Sequence, residues 1–232
     1  MLKNTLINKI ATKTIAKALG ELNERVIYVG GAVVSLYIDD LSAEDVRPTK
    51  DIDISMEIAS IGELETLREL LIQKGFYQTA EDDVICRFRY KDIKVDVMAT
   101  KEIGWAPANV WFAKGFDSAF TIDVEGIEIK ILPLPYFLAT KFSAFYERGG
   151  TDPRTSHDFD DIVYILNHTS NVKELIESSE KEVQQFLKEA FLKIVADDLL
   201  QEAILGNLFY EYQTERFEKI IRTLKEIVIN ID

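Results

Sequence analysis

A single cysteine, Cys86, among 232 residues rules out an internal disulfide. It sits in the β-rich run VICRFRY, which reads as the place of a buried thiol rather than a reactive one. Proline and glycine are scarce, at 5 and 11, which argues against a long disordered region. No apolar run approaches the roughly 20 residues that span a bilayer. The opening stretch MLKNTLINKIATKTIAKALGEL has Lys residues but no unbroken apolar block and no clear cleavage site. Its Leu6, Ile7, Ile10, Ile15, Ala18, Leu19 and Leu22 recur at helical spacing, so it reads as an amphipathic helix of the fold and the chain as cytoplasmic, with no membrane partner. Positive charge is also short: 27 Lys and Arg against 40 Asp and Glu give a net charge of −13. Such a surface repels polyanions at long range, so a generic nucleic-acid coat protein is disfavoured and no DNA partner is expected. A local basic patch, or action on one RNA end, remains compatible with it. What is left is an ordinary globular composition, 47% apolar and 29% charged.

The first half alternates short β-rich runs with helical segments. Residues 26–29 (VIYV) read as a strand that ends in Gly30 and Gly31, residues 31–38 as a short helix, and 40–50 as a polar loop. A strand over 51–58 (DIDISMEI) and a helix over 60–74 follow, the helix carrying Leu64, Leu67, Leu70 and Leu71 on one face and stopped by Gly75. Strands are expected near 84–90 and 93–99, a loop over 100–116, and a hairpin of 118–124 and 127–132 around Gly126. After Pro133 and Pro135 the pattern is helical: 134–147, 157–168, 172–177, then longer pieces to about residue 229, with Gly149 and Gly150 separating the first two. The expected fold is α+β: a mixed sheet with flanking helices over residues 1–132 and a helical part over 133–232, packed as one unit.

Asp51 and Asp53 are the most informative pair. In a strand, residues i and i+2 share a face, so the two carboxylates would lie side by side while Ile52 and Ile54 point inward. Like charges about 4 Å apart repel by roughly 4 kcal/mol at an intermediate dielectric. Keeping them together takes solvent or a cation, and Mg²⁺ suits carboxylate and phosphate oxygens. In IKVDVMA, Asp96 is flanked by Val95 and Val97; if its strand pairs beside 51–58, Asp96 joins the cluster. Three carboxylates can hold two metal ions about 3.5–4 Å apart for in-line phosphoryl displacement, and Asp96 could take a proton from an acceptor hydroxyl. Alternating Asp is equally the pattern of a solvated sheet face, and a Gly-Gly pair alone is a plain tight turn. Glycines after a strand also free N–H groups for an anion.

Together, VGGAVVSLYIDDLSAEDVRPTKDIDIS resembles the signature of the nucleotidyltransferase superfamily, the polymerase-β-like fold, in which a Gly-Gly or Gly-Ser turn precedes a helix and a D-x-D strand follows. Arg47, Thr49 and then Asp51-Ile52-Asp53 look most like the AbiEii-type branch, which includes toxins of abortive-infection and toxin–antitoxin systems. Position 31 is Gly where many superfamily members have Ser, and Gly-Gly is common in this branch. ILPLPYFLATKFSAFYERG resembles the branch's L-P-x-x-x-L-x-x-K-x-x-A segment and puts Lys141 on a helix. SHDFDDIVYIL resembles its second acidic segment, with Asp158 and Asp161 as the acids and His157 where Arg is usual.

The resemblance implies an enzyme that transfers a nucleoside monophosphate from an NTP to an acceptor hydroxyl with release of pyrophosphate, and as a toxin it would meet an antitoxin partner. It implies Gly30, Gly31, Arg47 and Thr49 at the triphosphate, and Asp51, Asp53 and Asp96 at one or two Mg²⁺ ions. Lys141 would neutralise developing charge, and Asp158 and Asp161 would orient Lys141 or Arg148 or bind the base or acceptor. The nucleotide is expected between the two parts. Acceptor candidates are a tRNA or other RNA end, a protein hydroxyl or a small molecule. Other readings stand beside these. Lys141, Arg47 and Arg148 suit surface salt bridges, and Asp158 and Asp161 suit the first turn of a helix capped by Ser156. The chain would then be a non-catalytic nucleotide-binding regulator or an interaction module. His168 is given no role.

Overall fold

Val26–Val29 (β1) is wholly apolar and buried, and it forms the middle of a six-stranded sheet. The computed structural model describes residues 2–148 and 152–231; the expected Gly149–Gly150 break lies outside them. The remaining strands are Asp51–Met56 (β2), Arg87–Tyr90 (β3), Ile93–Ala99 (β4), Phe120–Asp123 (β5) and Glu128–Ile131 (β6), in the order β3-β4-β2-β1-β6-β5. β1 runs antiparallel to β2, while β2 and β4 are parallel and in register from Asp51↔Lys94 to Met56↔Ala99. This is an α+β fold with a mixed sheet and flanking helices.

Two compact units divide the chain: Met1–Ser35 with Glu44–Pro133, and Leu36–Ala43 with Leu134–Asp232. In the first, Lys3–Leu19 (α1) is amphipathic and buries Ile15, Ala16 and Leu19. Ile61–Gln73 (α2) begins at Ser60, whose hydroxyl accepts from Glu63 N, while the Glu63 carboxylate accepts from Ala59 N. That reciprocal cap satisfies two otherwise orphan donors. Leu64, Leu67 and Leu71 face the core, and Gly75, at φ 88°, ends the turn.

The loop expected over 100–116 is only partly a loop. Val110–Phe116 (α3) is a helix, capped by the Asn109 side chain accepting from Trp111 N, with Trp111 and Phe112 buried. The cap and the buried aromatics outweigh the turn-forming Gly104 and Pro107 upstream.

In the second unit, Leu134–Glu147 (α4), His157–His168 (α5), Val172–Glu177 (α6), Lys181–Ala196 (α7), Asp198–Gly206 (α8) and Gln213–Asn230 (α9) build the helical layer. Phe142 meets Phe191 edge-on at 5.8 Å, and Phe145 tilts on Phe159 at 5.3 Å. The strap Leu36–Ala43 is fastened to these helices. Tyr37 stacks on Phe137 at 4.4 Å, and Asp40 Oδ2 takes hydrogen bonds from His168 Nδ1 and Arg216 Nη1, both at 3.0 Å. The Ser42 hydroxyl and then His168 hold the Asp40 carboxyl well below the usual carboxylate range. His168, unassigned from sequence, is thus a buried fastener of this strap. No helix among the described residues is long and apolar enough to cross a membrane.

Candidate active site

The strand registers draw one line across the sheet. Arg87 on β3 pairs with Asp96 on β4, Asp96 pairs with Asp53 on β2, and Asp53 pairs with Val29, the last residue of β1. Beyond Val29 the chain turns through Gly30, at φ 72°. Ile52 and Ile54 lie in the core on the opposite face, at 2% and 0% exposure, so Asp51 and Asp53 share the outer face.

Gly30 and Gly31 are where this row meets the backbone. A Cβ on Gly30 would fall 1.8 Å from Asp53 Oδ2, so the carboxylate lies against the bare glycine. A Cβ on Gly31 would fall 2.5 Å from an Arg47 Nη atom and 3.3 Å from Thr49 Oγ1. A left-handed φ at the first position and contact at both explain why glycine occupies each. The Thr49 hydroxyl also lies 3.3 Å from Asp51 Oδ1, a hydrogen bond within the same loop. The structure therefore gathers Gly30, Gly31, Arg47, Thr49, Asp51, Asp53 and Asp96 in the sheet unit.

Arg87 was not foreseen from sequence. Its Nε donates to Asp96 Oδ1 at 2.7 Å, and its Nη2 donates to Asp96 Oδ2 at 2.7 Å and to Asp51 Oδ2 at 2.9 Å. The fork on Asp96 is the strong, bidentate kind, and hydrogen bonding to Asp96 pushes the guanidinium pKa further up. Among the described residues no group of three or more His, Cys, Asp or Glu is gathered into a cage for a metal ion; Asp51 and Asp96 share the guanidinium instead. Even so, an oxygen of each carboxylate reaches the same nitrogen, so the two already converge on one positive centre. Hard oxygen donors that converge in this way suit a divalent cation such as Mg²⁺.

Cys86 lies next to this row and is buried. Burial, followed by the negative charge of Asp96, pushes its thiol up to about 11. The native protein is therefore expected to resist iodoacetamide at pH 8, where the thiolate is a small minority, and to react fully once unfolded in urea. Mass spectrometry of the alkylated chain checks this.

In the helical unit, Lys141, Asp158 and Asp161 are gathered with equal closeness. Lys141 Nζ lies 3.3 Å from Asp158 Oδ1 and 2.6 Å from Asp161 Oδ2, and all three side chains are at least nine-tenths buried. Arg148 reaches Asp158 Oδ2 at 2.8 Å from an exposed position. Ser156 caps α5 by accepting from Phe159 N, as its sequence position suggests, yet Asp158 and Asp161 are not solvated first-turn acids. They are partners of a buried amine. His157 is exposed. Lys141→Met should lower stability by about 3–5 kcal/mol, because it leaves two buried carboxylates without their shared cation. Arg148→Ala should cost under about 1 kcal/mol, since that side chain is 67% exposed. Urea midpoints of the two variants test the contrast.

The family described as nucleotidyl transferase AbiEii toxin, type IV TA system, matches the chain over residues 17–227. The chain belongs to this family. Similar solved structures agree in fold with an AbiEii nucleotidyltransferase. An antigenic nucleotidyltransferase-like protein from Paracoccidioides brasiliensis has a TM-score of 0.51 and 18% identity, over 86% of this chain and 92% of that one. A protein from H. pylori described as a "putative nucleotidyltransferase" has a TM-score of 0.51 and 14% identity, over 100% of this chain and 97% of that one. No curated protein matches the chain significantly. For this AbiEii member, nucleotidyl transfer is the chemistry against which the carboxylate row has to be judged.

Proposed function

We propose that the chain transfers a nucleoside monophosphate from an NTP to an acceptor hydroxyl and releases pyrophosphate, as the toxin of a toxin–antitoxin pair. The observation that carries this reading is the Asp96–Asp53 row ending on the bare backbone of Gly30. A carboxylate oxygen against bare glycine backbone, which a phosphate can approach closely, supports the reading. The catalytic part is taken as residues 1–132 and the helical part as 133–232.

Asp51, Asp53 and Asp96 would hold one or two Mg²⁺ ions. When bound, these supply the positive charge that lets phosphate approach three carboxylates and that steadies the departing pyrophosphate. The remaining work belongs to the chain. The backbone at Gly30 and Gly31 binds triphosphate oxygens, helped by the Arg47 guanidinium and the Thr49 hydroxyl that lie against Gly31. The carboxylate of Asp96 takes the proton from the acceptor hydroxyl. The acceptor oxygen bonds to the α-phosphorus as the bond from that phosphorus to the β-phosphate oxygen breaks. Lys141, set by Asp158 and Asp161, keeps the nucleotide-binding part that the family resemblance gives it. Catalysis of this kind is positioning and electrostatics rather than covalent chemistry by the protein.

The test is to incubate the protein with each NTP labelled at the α-phosphate, Mg²⁺ and cell lysate, and to fractionate the products into RNA, protein and small molecules. Label in one fraction, accompanied by pyrophosphate, supports the reading and names the acceptor class. Tight NTP binding with no label transferred would favour a regulator instead. Growth arrest on expression should disappear with Asp51→Ala and be relieved by the antitoxin.

A further inference from the structure

Arg87 comes from outside the three stretches that carry the family resemblance, yet it is the residue that joins Asp51 to Asp96. We infer that Arg87 is a resident counter-cation that competes with a divalent metal ion for these two carboxylates, so that the protein without nucleotide binds metal weakly until the guanidinium is displaced. This rests on the reading of Asp51, Asp53 and Asp96 as metal ligands.

The geometry sets the competition. Nη2 stands 2.9 Å from Asp51 Oδ2 and 2.7 Å from Asp96 Oδ2. Mg²⁺ bonds oxygen at about 2.0–2.1 Å. An ion bonded to either of those oxygens would lie within about 5 Å of the nitrogen whatever its direction, which sets a dication against a guanidinium in a poorly hydrated place. The Arg87 and Asp96 side chains are each 15% exposed, so water screens little of that repulsion. The guanidinium cannot escape by losing a proton, because arginine stays protonated throughout the pH range in which proteins fold. It can only turn aside.

The same contacts explain why an arginine is tolerated there. Asp51, Asp53 and Asp96 crowd one sheet face, and Arg87 offsets their repulsion while it holds Asp51 and Asp96 on a common centre. Arg87 is therefore a positioning residue in the metal-free protein and a competitor when metal arrives. Neutralising it should loosen the metal-free fold and tighten metal binding at once, a pairing of effects that a plain structural salt bridge would not give.

Mn²⁺, titrated alone and followed by electron paramagnetic resonance, provides the test in wild type, Arg87→Gln and Arg87→Lys. Arg87→Gln should bind Mn²⁺ at least tenfold tighter than wild type, with a lower metal-free Tm and a larger rise in Tm on adding Mn²⁺. Arg87→Lys keeps the charge and should stay within a fewfold of wild type. Measurable binding with equal affinity in wild type and Arg87→Gln overturns the inference while leaving the metal reading intact. No binding to either protein at millimolar Mn²⁺ overturns both. If Arg87→Gln is unfolded without metal, recovery of its near-ultraviolet circular dichroism below the wild-type Mn²⁺ dissociation constant supports the inference, and failure to recover overturns it.

Discussion

Asp53→Asn is expected to lower nucleotidyl transfer by roughly a thousandfold, an effect of the size seen when one preorganised charge is lost from a reacting centre, and to leave the fold intact. Asp53 is central because of register: it is opposite Asp96 on one side and Val29 on the other, and its Oδ2 lies against Gly30. Asparagine keeps the shape and removes the charge, so the β1–β2 and β2–β4 ladders have no reason to change. Circular dichroism and a urea midpoint near wild type, measured with the loss of transfer, would separate a chemical effect from a structural one. Transfer retained within tenfold of wild type would count heavily against the proposed site.

Gly30→Ala should be nearly as damaging, for a different reason. The new methyl would fall 1.8 Å from Asp53 Oδ2, and a non-glycine residue at φ 72° carries a backbone cost of roughly 1–2 kcal/mol. The carboxylate must move, so transfer should fall by roughly a hundredfold or more, with a moderate drop in Tm. Gly126 supplies the control. It also has a positive φ, 81°, but a Cβ there meets nothing within 4 Å. Gly126→Ala should show the backbone cost alone and full transfer. Equal loss of transfer in both variants would mean that backbone strain, not the displaced Asp53, is responsible.

Much of the frame is legible in the sequence because its signals are local. The β1 strand is a pure apolar run ended by two glycines, α5 has its Ser156 cap, and the D-x-D alternation shows which face of β2 is outward. The α3 helix is not legible, because Asn109 acts as a cap only once Trp111 and Phe112 have a core to enter. The Asp40–His168 fastening joins residues far apart in the chain and leaves no local pattern.

Arg87 is legible only through strand register. Tyr90 pairs with Ile93, so Lys91 and Asp92 form a two-residue turn, with Lys91 at φ 54°. The strands expected near 84–90 and 93–99 leave the same two-residue connection, and counting back along both from Tyr90 opposite Ile93 puts Arg87 opposite Asp96. Lys91-Asp92 lacks the glycine that usually marks such a turn, so the local sequence does not itself signal a tight hairpin there. The Lys141 network is half legible. A separation of three residues on one helix suggests that Asp158 and Asp161 share a face, but only packing decides that the face is buried against an amine.

The two ends of the nucleotide provide the most direct measurement of all. Wild-type protein incubated with Mg²⁺, lysate and NTP labelled at either the α- or the γ-phosphate should place α-label on the acceptor and leave γ-label in pyrophosphate, and Asp53→Asn should do neither. Label from the γ-position on the acceptor, or transfer undiminished in Asp53→Asn, would contradict a nucleotidyl transfer carried by the carboxylate row at the glycine bend.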